Sequence, residues 1–451
     1  MMHSHNWVTP EDGMKLTHDT TLTPGVYFLP NGIELAADNV TLNGNGALLI
    51  GDGFKGRGVW ATQKLGLTIK NLNVERYYHG IHLNASANVR VQGCTVTRTH
   101  ELAGNDTFLD VWLDRSVAYG GGIFFSGVQD GFVEDNDLQH QQNGLLLYGC
   151  NKIEIARNNA SFNSGYGMLL YESSENEVTN NIADYCSRTY HVNAETDVNK
   201  QRYHVGGDGA ALVMMCGSSK NVIKHNKLRA SGDGVFLGGF HKDYLKVPCN
   251  DNLFENNDGS HSPNIAFEAT FSQRNVFRKN RAERCKYGFW LGYSSENVVE
   301  GNVIKDNWVA GVAIEHGHNN SVIGNTFERN RNGAQFWVQA KPAFGDWYPE
   351  CVESYETTIK SNTFARHDTA VQVWTGRADG ESVGSRCHHF IVTDNDLTDN
   401  RVAIQLERVR QSSVYGNRVY ENVEAGIKLI GCAEMNVAGN AMARAEALIR
   451  A

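Results

Sequence analysis

The sequence predicts an all-β fold, a right-handed parallel β-helix, on three observations. Asn recurs at a nearly constant interval: Asn275, Asn297 and Asn320 lie 22 and 23 residues apart. Asn280, Asn302 and Asn325 follow the same cadence slightly later in each repeat. A matching series of turn-then-strand segments runs Gly122-Ile-Phe-Phe, Gly144-Leu-Leu-Leu, Gly167-Met-Leu-Leu, Gly288-Phe-Trp-Leu, Gly311-Val-Ala-Ile and Gly333-Ala-Gln-Phe. The apolar positions alternate at period two and interchange among Val, Ile, Leu and Phe, which argues against a leucine-rich frame. A period in the low twenties with short strands and polar turns means one small unit stacked many times.

In chain order, residues 1–56 read as an N-terminal cap with the first rungs, and Asn31-Gly32 and Asn43-Gly-Asn-Gly46 as turns. Residues 57–440 carry the rungs, interrupted by insertions near 101–120, 187–207, 341–356 and 376–387. Residues 441–451 read as a C-terminal cap, either a short helix or a last irregular rung. The whole of 1–451 is expected to be one continuous repeat domain, because a solenoid grows by adding rungs. Asn at the recurrent turn can tolerate the left-handed conformation and hydrogen-bond its neighbours along the stack. Insertions on a solenoid tend to gather on one face, often the binding face.

Charge narrows the partners. Forty-one Lys and Arg against 50 Asp and Glu leave a net charge of −9. That argues against nucleic acid, which needs a basic face, while a local basic patch could still meet an anionic polysaccharide. There is no membrane-length apolar run, and the opening Met1-Met2-His3-Ser4-His5-Asn6-Trp7 lacks a basic stretch before an apolar one. The expectation is therefore a cytoplasmic protein with no membrane partner. The nine cysteines are dispersed without a CxxC pair, and Cys94, Cys150 and Cys432 sit at repeat positions. They read as buried free thiols rather than disulfides or zinc ligands. Nothing calls for a cofactor. The flat sides of a solenoid are compatible with a homo-oligomer.

Inward residues are expected to be Ile123, Leu145, Met168, Val235, Ile265, Phe289, Val312 and Ala334. Two outward columns follow. One runs Phe124, Leu146, Leu169, Ala211, Phe236, Ala266, Trp290, Ala313, Gln335, Gln372 and Gln405. The other runs Tyr148, Tyr171, Val213, Gly238, Glu268, Gly292, Glu315, Trp337, Trp374 and Glu407. Aromatic rings, amides and acids in columns suit a sugar-binding groove: flat rings meet sugar faces, and amides and acids meet hydroxyls. The competing expectation is that the insertions fold over these aromatics and bury them.

The candidate catalytic acids are Asp208, Asp233 and Glu268. Asp208-Gly-Ala-Ala-Leu and Asp233-Gly-Val-Phe-Leu look alike, so the two aspartates are expected at one register, about 5 Å apart in adjacent rungs. Glycosidases hold their carboxyl pairs about 5–5.5 Å apart when retaining and about 6.5–9.5 Å apart when inverting. Asp-Gly is also an ordinary turn dipeptide. Nearby insertions supply Arg202, His204, His241 and Lys242 as groups that could orient a leaving group or act as bases. With Tyr148, Tyr171, Trp290, Glu315, Gln335, Trp337, Gln372 and Trp374 they form the candidate substrate-binding set. Glu315-His316-Gly-His318 fits no zinc spacing and is read as a hydroxyl-binding acid, not a metal site.

The repeat pattern resembles the right-handed parallel β-helix proteins of the pectate-lyase-like superfamily, with carbohydrate-binding and sugar-hydrolase type repeats. That superfamily includes hydrolases, lyases, epimerases, fructotransferases and non-catalytic members. Locally, Gly207-Asp208-Gly209 and Gly232-Asp233-Gly234 are similar to the aspartate motifs of polygalacturonase-type glycosidases. Here the second motif has a single Asp, and no Gly-His-Gly follows, although His261 lies near its place. The Asp-Pro-His motif of mannuronan epimerases and the calcium-binding acidic cluster of pectate lyases are absent from the sequence. The resemblance implies a carbohydrate-active enzyme acting on an oligo- or polysaccharide. The leading expectation is a glycoside hydrolase or related glycan-cleaving transferase. The alternatives are a lyase or epimerase acting on a uronate, and a non-catalytic glycan binder.

Overall fold

A computed structural model describes residues 7–103, 108–191, 203–205, 209–243, 245–376, 384–442 and 448–450, with 189–191, 203–205 and 448–450 described by backbone alone. The chain forms a right-handed parallel β-helix and divides into two compact units, Met1–Asp233 and Gly234–Ala451.

In the first unit the strands Arg57–Thr62, His79–Asn84, Gly121–Ser126, Leu145–Tyr148, Tyr166–Tyr171 and Ala210–Met215 pair in parallel, each with the next. A second ladder runs through Thr68–Lys70, Ala87–Gln92, Gln129–Glu134, Asn151–Ala156, Glu177–Thr179 and Val222–Lys224. A shorter third ladder joins Val26–Phe28, Leu48–Ile50, Asn73–Glu75 and Thr95–Thr97. The 187–207 insertion contributes an antiparallel hairpin, Thr189–His191 with Tyr203–Val205.

The second unit repeats the plan. Its main ladder passes through Ile265–Thr270, Tyr287–Trp290, Ala310–Glu315, Asn332–Val338, Thr369–Thr375, Val402–Glu407 and Ala425–Ile430. The described C-terminal segments are the strands Ala441–Met442 and Leu448–Arg450. Among the described residues the one helical element is a single 3-10 turn, Pro349–Cys351, inside the 341–356 insertion.

Each strand turns its alternate apolar residues inward, and facing residues of successive coils stack on one another. Phe267 lies on Phe289 at 5.1 Å, Phe254 on Phe277 at 4.7 Å and Phe327 on Phe364 at 4.4 Å between ring centres. The glycine preceding the core residue answers a different need. A Cβ on Gly311 would stand 2.6 Å from the carbonyl oxygen of Gly333 in the next rung, so the coils close up only where that atom is missing.

The asparagine ladder is real, and the left-handed conformation falls beside it, not on it. The left-handed residues are those just before each ladder Asn: Arg274, Glu296 and Asn319, and then Lys279, Gly301 and Gly324. The ladder asparagines themselves lie buried and bond along the stack. Asn280 donates its backbone N–H to Asn302 Oδ1 at 2.7 Å, and Asn302 does the same to Asn325 at 2.8 Å. Each amide also donates back to a backbone carbonyl, as Asn302 Nδ2 does to Phe277 O at 2.9 Å. The chain can turn here because the amide supplies the bonds that a bent backbone cannot.

The cysteines are free thiols, eight of them buried and Cys432 partly so. Burial pushes the thiols of Cys94 and Cys351 up to about 11 and about 12.

Candidate functional site

The outward columns differ between the two units. In the first, Phe124, Leu146 and Leu169 align as expected, but Leu169 is level with Val213, not Ala211. These outward side chains are buried, as are Tyr148 and Tyr171 at 3% and 7% exposure. The 101–120 insertion is the cover. Leu109 and Ala118 are buried, Leu102 donates its N–H to Gln142 Oε1 at 2.8 Å, and Arg115 bonds Glu172 at 3.0 Å. Burial and the neighbouring Asp114 push the Tyr148 hydroxyl pKa upward. Tyr148 and Tyr171 thus stack on each other, 4.9 Å apart, beneath a loop rather than in an open groove. The sequence could not exclude this, because an outward aromatic looks the same bare or covered.

The expected aspartate register also changes. Asp233 donates its N–H to Gly209 O at 3.1 Å, which in a parallel ladder sets Asp233 level with Ala210, two residues beyond Asp208. Asp233 is 3% exposed. Asp208 and Arg202 lie outside the described residues, as does the side chain of His204.

In the second unit the columns shift by two residues at one strand. Phe267, not Ile265, pairs with Val235 and Phe289, while Ile265 pairs with Tyr287. Glu268 therefore joins Phe236, Trp290, Ala313, Gln335, Gln372 and Gln405. The neighbouring column keeps Glu315, Trp337, Trp374 and Glu407 in register. His241 and Lys242 fall in a hairpin closed by a Phe240–Lys246 bridge, off these strands. His241 accepts the Asp243 N–H on Nδ1 at 3.2 Å.

Here the outward face is only partly covered. Trp290, Trp337 and Trp374 are half-buried, as are Glu268, Glu315, Gln372 and Glu407, while Gln335 is buried. Trp337 and Trp374 stack at 5.0 Å with planes 4° apart, and Trp290 meets Trp337 edge-on at 5.6 Å. Glu315 is held by the side chains of Trp337 and Gln339, and burial raises its carboxyl pKa above the usual range. Gln335 Oε1 accepts a bond from Asn332 Nδ2 at 3.1 Å. Glu407 pairs with Arg408 at 2.6 Å.

Sequence reasoning missed Tyr287, which meets Trp290 edge-on at 4.8 Å, and Gln339. Tyr287 immediately precedes the turn glycine Gly288, a position the column count passed over. It also missed the anchoring of the 341–356 insertion. His316 is buried, its Nδ1 bonds Cys351 O at 2.9 Å, and its Nε2 accepts the Gln339 N–H at 2.9 Å. Tyr348 and Cys351 from that insertion join Phe271 and Tyr293 in a small apolar cluster. The insertion thus seals the corner beside the tryptophan columns.

No curated protein matches the chain. Among solved structures it is similar to the Mannuronan C-5 epimerase AlgE6 A-module of Azotobacter vinelandii, at 11% identity over 95% of this chain and 92% of that one, with a TM-score of 0.44. It is similar to the Dettilon tailspike protein at 12% identity, 80% and 62% coverage and a TM-score of 0.42. It is similar to PfbA, a surface adhesin of Streptococcus pneumoniae, at 10% identity, 90% and 83% coverage and a TM-score of 0.38. Likenesses this distant carry no reading of activity. The family model described as Right handed beta helix region matches residues 24–258 and 217–344, and the chain belongs to that family.

Proposed function

We propose that the chain is a carbohydrate-active β-helix that binds an oligo- or polysaccharide along the outward face of its second unit. The supporting observation is the half-buried series Trp290, Trp337 and Trp374, flanked by Glu268, Glu315, Gln335 and Gln372 in adjoining columns. Partly exposed indoles offer apolar area at little entropic cost, and fixed acids and amides select hydroxyls. Calorimetric titration with a panel of oligosaccharides tests the reading. Saccharide binding that weakens in Trp374→Ala supports it, and no binding across the panel removes it.

A second reading, glycan cleavage, draws on Glu315. A carboxyl whose pKa is raised by burial keeps its proton to higher pH than an exposed one, as a general acid must. The paired-acid version has less support. Glu268 and Glu315 are two rungs and two residues apart, about 12 Å between Cα atoms, against about 5–9.5 Å between the carboxyls of glycosidase pairs. Mass spectrometry of the same panel decides: a mass gain of water marks hydrolysis, an unsaturated product marks elimination, and unchanged glycans leave binding alone.

A further inference from the structure

Three histidines gather on the first unit. His79 and His82 lie on the strand His79–Asn84, and His100 stands where the chain enters the 101–120 insertion. Rung pairing sets His79 beside Arg57 and His82 between Trp60 and Phe124. The rings form a nest. Their centres are 5.6 Å apart for His79 and His82, 4.8 Å for Tyr78 and His79, and 4.7 Å for Tyr78 and His100. Tyr78 donates its hydroxyl to Ala118 O at 2.9 Å, so the insertion walls one side.

Each of the three imidazoles buries an Nδ1 that finds no partner among the described residues, and His79 is only 7% exposed. Orphaned buried N–H groups are rarer than orphaned buried acceptors. The bare nitrogen is therefore Nδ1, and the proton sits on Nε2, the nitrogen left for a ligand. Burial holds all three rings below their ordinary pKa, helped by Arg57 at His79 and His82, with His82 down to about 4. At neutral pH they are uncharged donors.

Arg57 completes the set. It is exposed, its guanidinium lies 5.2 Å from the Trp60 ring centre, and no carboxylate pairs with it among the described residues. Of the nearby acids, Glu34, level with Trp60, bonds Lys15 at 2.8 Å, while Glu101 acts on His100 at the edge of the nest. An unmatched cation, a partly open indole and outward N–H donors together suit a ring-shaped ligand bearing a carboxylate and hydroxyls.

We propose that this nest binds the uronic acid residue of an anionic glycan. Arg57 takes the carboxylate, Trp60 meets the sugar ring, and His79 and His82 donate Nε2–H to its oxygens. The nest shares no residue with the tryptophan face and does not depend on that reading.

The test is calorimetric titration of the full chain with galacturonate, glucuronate and mannuronate trisaccharides and with their methyl esters, which keep the rings and lose the charge. Wild type is expected to bind at least one of the acids more tightly than its ester. Arg57→Gln, at an exposed position, should weaken that binding tenfold or more, as expected for a charged hydrogen bond. His82→Phe, which keeps a ring of similar size, should weaken it as well, and circular dichroism confirms that both variants fold. Arg418→Gln, at an exposed arginine of the second unit, should leave it unchanged. Three outcomes overturn the proposal: no acid binds, binding survives both Arg57→Gln and His82→Phe, or binding is lost in Trp374→Ala and kept in Arg57→Gln. The last outcome would place the anionic glycan on the second unit's face. Zinc binding lost in His82→Phe, with no glycan bound by wild type, would reassign the nest to a metal and overturn it too.

Discussion

Asn302→Ala probes the asparagine ladder where its bonds are fullest. The Asn302 side chain donates to Phe277 O and to Asn325 Oδ1, both at 2.9 Å, and accepts from the Asn280 backbone at 2.7 Å and the Asn280 side chain at 3.2 Å. Asn325 Oδ1 would keep the Asn302 backbone donor, and Asn280 Nδ2 would keep Phe254 O. Two groups stay stranded: the Asn280 N–H and the lone pair of Phe277 O that received the amide. Asn302 is 1% exposed, so water does not replace them. At about 1–3 kcal/mol for each stranded group, the loss is about 2–6 kcal/mol. Rungs touch only their neighbours, so the damage should be local. Amide hydrogen exchange reads it directly: a loss of about 3 kcal/mol speeds exchange at Asn280 by about 100-fold. Exchange at Asn280 within a few-fold of wild type, with an unchanged denaturation midpoint, would refute the view that these amides hold the coils together.

Other expectations follow from the same contacts. Trp374→Ala removes the ring stacked on Trp337 and should weaken saccharide binding about tenfold, at roughly 1 kcal/mol or more for a stacked aromatic; unchanged titration would remove Trp374 from the surface. Glu315 has a folded pKa raised by burial, so the native chain holds that proton more tightly and stability falls as pH rises through the raised pKa. Glu315→Gln should therefore be at least as stable as wild type at neutral pH, with the advantage vanishing below the carboxylate range; a less stable variant at pH 7 by denaturation would contradict this. His316 is lowered from 6.5 to about 4 by burial. The unfolded chain gains a proton that the native state refuses, so stability drops as pH falls from about 6.5 toward 4, by about 3 kcal/mol at the lower end. Protonating Nε2 also breaks its bond from Gln339. Labelling of Cys351 by a disulfide reagent active in acid should accelerate over that window; labelling that stays flat to pH 4 counts against His316 as the anchor.

Fold was legible in the chain because every coil repeats one requirement. The spacing of Asn275, Asn297 and Asn320 reports a side-chain ladder that each rung must continue, and Phe289, Val312 and Ala334 fall inward as the alternation requires. The site was less legible for two physical reasons. Alternation at period two is unchanged by a slip of two residues, so Ile265 and Phe267 were equally good inward candidates, and the wrong choice moved Glu268 into the neighbouring column. The same ambiguity set Asp208 beside Asp233, when Gly209 and Ala210 are the residues that meet it. Burial of Tyr148 and Tyr171 depends on where the 101–120 insertion lies, which no strand pattern encodes. Trp290, Trp337 and Trp374 were found because bulky indoles at one register stand out whatever the neighbouring loops do.

The asparagine ladder ignores how much chain lies between its steps. Asn280 and Asn302 are 22 residues apart, Asn325 and Asn362 are 37 apart, and Asn181 and Asn226 are 45 apart, yet each amide reaches its partner oxygen at 3.2, 3.0 and 3.0 Å. The corners are thus open sockets in an otherwise fixed scaffold. A foreign peptide grafted at such a corner would leave and rejoin the backbone one rung apart, with both ends clamped. New specificity can be acquired there by exchanging cargo, without redesigning the coils that carry it.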